Sequence, residues 1–285
     1  MMDLDGENVH DSRFKWIRIA NLLAFLLMFT VNVLANVLPI NGVTSGAVSD
    51  AYPNQFAPAG ITFAIWGVIY LLQAAFVLSQ FGVFGRHVTV QPAIVRAVSL
   101  PFVLYSILNA AWLFAWHNFQ IPLSMVLMVL LLACLSYAYR RLEAFQPDMR
   151  LSDKIFVRLP FRITLGWITV AAVANAVVLL VYLDWSGWGI PQQIWLILVL
   201  MATLAIALAV ILPNNDAAYG MVILWAYMGI LLKHVTVSGG DFDRQQPAVL
   251  LCLTVCLVAL FTAIMLAIHR SRHRAGKLPE AGLLK

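Results

Sequence analysis

The chain has 285 residues, of which 62% are hydrophobic and only 11% are charged. A soluble domain has about 45–50% apolar and about 25% charged residues, because its surface must be largely polar. The composition therefore excludes a soluble enzyme, a disordered chain and a secreted disulfide scaffold. It indicates an all-α, polytopic membrane bundle. Membrane topology accounts for the net charge of +5, so nucleic acid is not expected as a partner.

Eight apolar stretches are long enough to cross a bilayer as helices, which takes about 20 residues each. They are residues 16–38, 59–81, 97–116, 121–139, 160–183, 192–212, 217–233 and 247–269. A polar segment, residues 1–15, precedes the first span and is expected in the cytoplasm. A basic segment, residues 270–285, follows the last span and is expected there too.

The basic residues concentrate beside alternate spans. With the N-terminus inside, sixteen of the 18 lysines and arginines lie on the inner side, and only Lys233 and Arg244 lie outside. Cytoplasmic loops carry such an excess, which predicts cytoplasmic termini in a bacterial inner membrane. A stop signal explains the basic run from His269 to Arg274, and contact with anionic membrane lipid is the alternative.

The predicted spans contain almost no groups for chemistry or ion coupling. No Asp, Glu, Lys or His lies near the middle of any span. Proton relays need ionisable groups inside the membrane, and hydrolases need acids, bases or metal ligands. We therefore expect no catalytic residue, no metal site and no required cofactor. A permease for amphipathic molecules stays an alternative, although the sequence shows no internal repeat.

Uncharged polar and aromatic residues recur at helical spacing on four of the first five spans. The stripes are Asn32 and Asn36 on the first span, Phe63, Trp66, Tyr70 and Gln73 on the second, Asn109, Trp112 and Trp116 on the third, and Trp167, Ala171 and Asn175 on the fifth. An amide in hydrocarbon needs a partner. These faces are therefore expected to point inward, toward one another.

Two interpretations fit the stripes. In one, the amides hydrogen-bond between packed helices and the tryptophans fill space. In the other, the stripes line an aromatic pocket for a flat amphipathic ligand, with Ala171 leaving room at its centre. The candidate ligand-binding residues are Phe63, Trp66, Tyr70, Asn109, Trp112, Trp167, Ala171, Asn175 and Asn36.

At these residues the sequence resembles the tryptophan-rich sensory protein / translocator protein family (TspO/MBR). The matching segments are the stretch from Pro58 to Tyr70, the Asn-x-x-Trp of Asn109 and Trp112, and the Trp-x-x-x-Ala-x-x-x-Asn of Trp167, Ala171 and Asn175. The resemblance covers residues 16–183, the length of that family's five-helix fold. The three further spans, residues 184–269, have no counterpart in the five-helix fold.

The resemblance implies a pocket open toward the first loop and a tetrapyrrole ligand such as a porphyrin or haem, or a sterol-like molecule. The family's pocket positions match Trp66, Asn109, Trp167 and Ala171, whereas the other matched positions could equally serve packing. A homodimer is also implied. The resemblance implies a role as a sensor, a transporter or a protein that promotes porphyrin breakdown. In a light-driven breakdown reaction, Trp66 and Trp167 would be the oxidisable side chains next to the bound ligand.

The three further spans carry two local signals. Asp216 is placed to cap the N-terminus of the seventh span. Trp225 and Gly229 are four residues apart on that span, so a neighbouring segment could approach closely there. We interpret these spans as additional helices that serve packing or form a dimer surface. The alternative is that they form a second wall of a larger pocket.

Overall fold

The structure is a computed structural model that describes residues 4–38, 40–85, 89–236 and 246–275. Every regular element in these ranges is helical. The eight long helices are α1 (Leu4–Val37), α2 (Ile65–Ser79), α3 (Pro92–His117), α4 (Ile121–Ala144), α5 (Leu159–Tyr182), α6 (Gln192–Asn214), α7 (Ala217–Thr236) and α8 (Pro247–Ala275). Arg86, Arg244 and the part of the basic tail after residue 275 lie outside the described residues.

Among the described residues, eight helical stretches are long and apolar enough to cross a membrane, which confirms the eight predicted spans and the all-α class. The second of them, Gly60–Ser79, includes the helical turn that precedes α2. Several helices extend beyond the predicted limits. Helix α3 begins at Pro92 and α4 ends at Ala144, because a charged residue such as Arg96 lowers local hydropathy without interrupting backbone hydrogen bonds. Helix α1 begins at Leu4, so most of the predicted cytoplasmic segment 1–15 is helical.

The chain forms two compact units. The first contains Met1–Asn54 and Phe63–Trp185, and the second contains Gln55–Thr62 and Ser186–Lys285. The division after Trp185 lies beside the boundary expected from sequence at residue 184. The assignment of residues 55–62 to the second unit was not predicted, since this segment lies between the first and second spans.

Aromatic edge-to-face contacts join three helices of the first unit. The Phe76 ring on α2 lies 5.0 Å from the Phe102 ring on α3 and 5.4 Å from the Phe161 ring on α5, measured between centroids. Helix α4 packs along α3 and α5, and α1 packs along α3. This arrangement places the polar stripes of α1, α2, α3 and α5 within one helical bundle.

A partly buried ion cluster lies where α4 ends and α5 begins. Glu143 accepts a hydrogen bond from Arg158 Nη2 at 2.8 Å and another from Arg162 Nη2 at 3.1 Å. Arg158 ends a single π-helical turn, Lys154–Arg158, that leads into α5. The single carboxylate offsets part of the charge of two guanidinium groups that would otherwise be costly to bury.

In the second unit, α8 packs along both α6 and α7. The predicted cap of α7 is confirmed, because Asp216 Oδ1 accepts a hydrogen bond from Tyr219 N at 3.0 Å. The buried Tyr227 hydroxyl donates to the Leu200 carbonyl at 2.6 Å and thereby joins α7 to α6. Helix caps and interhelical bonds of this kind satisfy polar groups where water is excluded.

Candidate ligand-binding site

Four predicted aromatic residues meet in one cluster, which we call the aromatic cluster: Phe63, Trp66, Tyr70 and Trp167. Trp66 stacks on Tyr70 with ring centroids 5.5 Å apart. Trp167 from α5 presents an edge-to-face contact to Phe63 at 5.8 Å and to Trp66 at 6.2 Å. Phe63 lies just before α2, and Trp66 and Tyr70 lie within it. Their helical spacing places all three on the side that faces α5.

The members of the aromatic cluster differ in burial. Trp167 is 3% exposed, whereas Phe63, Trp66 and Tyr70 are half-buried. The indole Nε1–H of Trp167 has no hydrogen-bond partner among the described residues. An unpaired buried donor costs about 1–3 kcal/mol, so Trp167 supplies a polar group that a ligand acceptor could satisfy.

Asn109 on α3 is a second buried residue with an unused donor. Its Oδ1 accepts a hydrogen bond from Asn32 Nδ2 on α1 at 2.7 Å. Its own Nδ2 is buried and has no partner in the part of the chain that the structure describes. One half of this amide therefore connects two helices, and the other half is a buried donor without a partner among the described residues.

Asn175, in contrast, is fully engaged in helix packing. Its Oδ1 accepts from Trp112 Nε1 at 2.9 Å, and its Nδ2 donates to Ser124 Oγ at 3.1 Å. Ser124 in turn donates to the Ile121 carbonyl at 2.8 Å. For Asn175 and Trp112 the geometry favours the interhelical interpretation. Sequence reasoning missed Ser124, because a serine can satisfy itself on its own helix and leaves no periodic signal.

Asn36 and Ala171, the two remaining candidate residues, take no part in the interhelical hydrogen bonds of Asn109 and Asn175. Asn36 is exposed near the end of α1, and its Nδ2 donates to the Asn32 carbonyl one turn earlier at 2.8 Å. The structure therefore does not place Asn36 on a buried face. Ala171 is half-buried on α5, one turn after Trp167 and one turn before Asn175.

Gln73, the last member of the predicted stripe on α2, faces a small cavity. Its Nε2 donates to Tyr105 Oη at 3.2 Å and to Thr164 Oγ1 at 3.1 Å. The cavity measures about 10 Å³, the size of one water molecule, whereas small-molecule pockets span about 300–1,000 Å³. Gln73 thus belongs to polar packing. Sequence reasoning did not identify Tyr105 or Thr164, which carry no distinctive spacing.

The first half of the loop between α1 and α2 is held against the end of α3. A short helix, Ser45–Asp50, packs its buried Val48 against Trp116. Ser45 Oγ lies 2.8 Å from His117 Nε2, and the Ser45 carbonyl accepts from Trp116 Nε1 at 3.1 Å. The loop half that is nearer α1 is therefore a packed element of the first unit.

The aromatic cluster therefore combines half-buried aromatic faces with one buried indole, whose N–H has no partner among the described residues. Aromatic faces and an indole N–H are groups that can stack on a flat π system and donate a hydrogen bond to an acceptor. Among the described residues, no group of three His, Cys, Asp or Glu is placed to hold a metal ion.

The fold and the site together define a polytopic α-helical membrane protein with an aromatic stripe facing its bundle. A comparison with protein-family models matches residues 18–268 to the family described as TSPO-like protein. The chain belongs to this family, and the match extends beyond the five helices that carry the motifs to include the last three. No curated protein and no solved structure matched the chain.

Proposed function

We propose that the chain is a membrane sensor that binds a flat amphipathic ligand of the tetrapyrrole class, a porphyrin or haem, on the aromatic cluster. The observation that carries this proposal is the buried Trp167 indole, whose Nε1–H is unpaired among the described residues while its ring contacts Phe63 and Trp66. Membership of the TSPO-like family supports a membrane binding role.

The polarity of the site favours a tetrapyrrole over a sterol. Trp167 Nε1 and Asn109 Nδ2 are two buried donors without partners in the described ranges, and a porphyrin carries carboxylate oxygens beside a flat π system. A sterol has a single hydroxyl and no π face to stack on the Trp66–Tyr70 pair. These two donors thus support an acceptor-bearing aromatic ligand over a sterol-like one.

The test is a titration of the purified protein with protoporphyrin IX, followed by ligand absorbance and tryptophan quenching. Trp167→Phe keeps the ring contacts and removes the indole donor, so we expect binding about tenfold weaker, which equals about 1.4 kcal/mol. Trp16→Phe is the matched control, because Trp16 is 68% exposed on α1. Saturable binding that is equal in all three proteins would refute the site, and unsaturable uptake would refute the ligand class.

Two further measurements separate the proposed role from its alternatives. A sensor binds porphyrin without net flux. Porphyrin transport across the membrane of proteoliposomes would instead indicate a permease.

We also propose that the protein itself is not an enzyme. A change of bound-porphyrin absorbance under illumination, lost when Trp66 or Trp167 becomes phenylalanine, would instead indicate ligand-assisted breakdown. Cytoplasmic termini, the inner membrane and the homodimer stay predictions that reporter fusions and cross-linking would check.

A further inference from the structure

Three sulfur atoms converge in the second unit, from two helices that pack along each other. Cys252 and Cys256 lie one turn apart on α8, and Met201 lies on α6. Cys256 Sγ is 4.0 Å from Cys252 Sγ and 3.9 Å from Met201 Sδ. We call these three residues the sulfur cluster. All of them belong to the same compact unit.

Helical geometry accounts for the two thiols of the sulfur cluster. Residues four apart on a helix lie on the same face, one above the other, which brings the side chains of Cys252 and Cys256 together. The third sulfur comes from another helix, 55 residues away from Cys256 in sequence. A spacing rule detects the pair of thiols but not the complete cluster, which is why no metal site is expected from the sequence.

The donor atoms of the sulfur cluster select the class of ion that they can hold. Thiolate and thioether sulfurs are soft ligands, and together they favour a soft cation such as Cu(I). Hard cations such as Mg²⁺ and Ca²⁺ take oxygen ligands instead. The thioether of Met201 therefore narrows the candidate to a soft cation.

The distances within the sulfur cluster suit an ion with three ligands. A metal–thiolate bond is about 2.3 Å long, so three sulfurs in a triangle around one ion are about 4.0 Å apart. Two sides of the cluster, 4.0 and 3.9 Å, have this length. The side chain of Met201 is unbranched and has three rotatable bonds, so its rotation can adjust the third side. Zn²⁺, in contrast, takes four ligands in a tetrahedron.

The position of the sulfur cluster favours a monovalent ion. Cys256 is fully buried, and it is the tenth residue of a helix that is long and apolar enough to cross a membrane. It therefore lies about 14 Å along α8, where a net charge is costly. Cu(I) that replaces the proton of one thiol forms a neutral complex with the second thiol and the thioether, and the proton is released. A divalent ion would have to displace both protons to reach neutrality.

One edge of the sulfur cluster is open to an incoming ion. Met201 is 45% exposed and Cys252 is half-buried, whereas Cys256 is fully buried. A metal site needs such an entry path. An exposed thioether can take Cu(I) from a donor molecule by ligand exchange, after which the two thiols complete the site.

We propose that Cys252, Cys256 and Met201 bind one Cu(I) ion per chain. Cys256 is the central ligand, because its sulfur is within 4.0 Å of both other sulfurs. The sulfur cluster shares no residue with the aromatic cluster. This inference therefore goes beyond the proposed function and does not rest on it.

The first test is an anaerobic titration of the purified full chain with Cu(I), in competition with bathocuproine disulfonate. The absorbance of the chelator's copper complex reports how much Cu(I) the protein holds, and we expect one equivalent for the wild type. Cys256→Ser should weaken binding about 100-fold, which equals about 2.7 kcal/mol, since it removes the central sulfur. Cys134→Ser is the matched control, because Cys134 is a free cysteine on α4 in the first unit.

The second test compares two methionines of the second unit. Met201→Leu and Met228→Leu each remove a thioether and nearly conserve side-chain volume. The two residues are 45% and 48% exposed. We expect Met201→Leu to weaken Cu(I) binding about tenfold, which equals about 1.4 kcal/mol, and Met228→Leu to bind Cu(I) as the wild type does.

X-ray absorption of the copper-loaded protein counts the sulfur ligands directly. We expect three sulfur neighbours at about 2.3 Å in the wild type and in Met228→Leu, and two in Met201→Leu. A merely structural role of Met201 would alter stability without changing this number.

Each remaining outcome would overturn the site or its ion. A wild type that binds no Cu(I), or equal binding in the wild type, Cys256→Ser and Met201→Leu, would overturn the site. Binding that depends on Cys256 but not on Met201 would overturn the three-sulfur arrangement. Displacement of Cu(I) by Zn²⁺ at equal concentration would overturn the choice of ion. If Cys256→Ser does not fold, the milder Met201→Leu decides by the same criteria.

Discussion

Replacing Trp112 and Trp167 separately by phenylalanine should affect stability in different ways, although both residues carry an indole in the same bundle. Trp112 Nε1 donates to Asn175 Oδ1 at 2.9 Å. Trp167 Nε1 is buried and has no such partner in the described part of the chain. The first substitution breaks a hydrogen bond, and the second removes a donor that no described residue satisfies.

The magnitudes follow from these contacts. Each substitution loses roughly 40 Å³ of ring volume, which costs about 1 kcal/mol at about 24 cal/mol per Å³. Trp112→Phe also loses an interhelical hydrogen bond worth about 0.6–1.7 kcal/mol. Trp167→Phe regains about 1 kcal/mol by removing an unpaired buried donor. We expect Trp167→Phe to be nearly neutral and Trp112→Phe to be less stable by about 2 kcal/mol.

The assay is equilibrium unfolding in mixed micelles by titration with SDS, followed by far-UV circular dichroism. Trp16→Phe, at a position 68% exposed, serves as the control and should match the wild type. If Trp167→Phe is as destabilising as Trp112→Phe, the two indoles do not differ in hydrogen bonding. Trp167 would then hold no unpaired donor for a ligand.

Two further predictions concern stability alone and use the same titration. Glu143→Gln should lower the free energy of unfolding by about 3 kcal/mol, because Arg158 and Arg162 lose the carboxylate that offsets their charge. Their side chains are only 8% and 12% exposed, and a loss below about 1 kcal/mol would show that the carboxylate does not stabilise the fold. Tyr227→Phe should cost about 1 kcal/mol, since it removes the 2.6 Å bond to the Leu200 carbonyl, and an unchanged midpoint would contradict this.

Part of the site was predictable because helical periodicity is a local property. The spacing of Phe63, Trp66 and Tyr70 placed them on one side of a helix, and Trp167 lies on the face that meets them. Periodicity could not decide which amides bind a ligand and which bind a neighbour. Asn175 is engaged by a serine 51 residues away in sequence, and no spacing rule reports that pairing.

The sequence by itself determined the membrane class and the eight spans, because the bilayer demands apolar stretches of fixed length and their residues are contiguous. It also determined the cap at Asp216, which depends on three neighbouring residues. Only the tertiary structure decided that, among the described residues, Asn109 Nδ2 has no hydrogen-bond partner whereas Asn175 Nδ2 has one. It alone placed Thr62 against Trp225, 163 residues later, since contacts between distant segments depend on how complete helices pack, and local patterns carry no record of that packing.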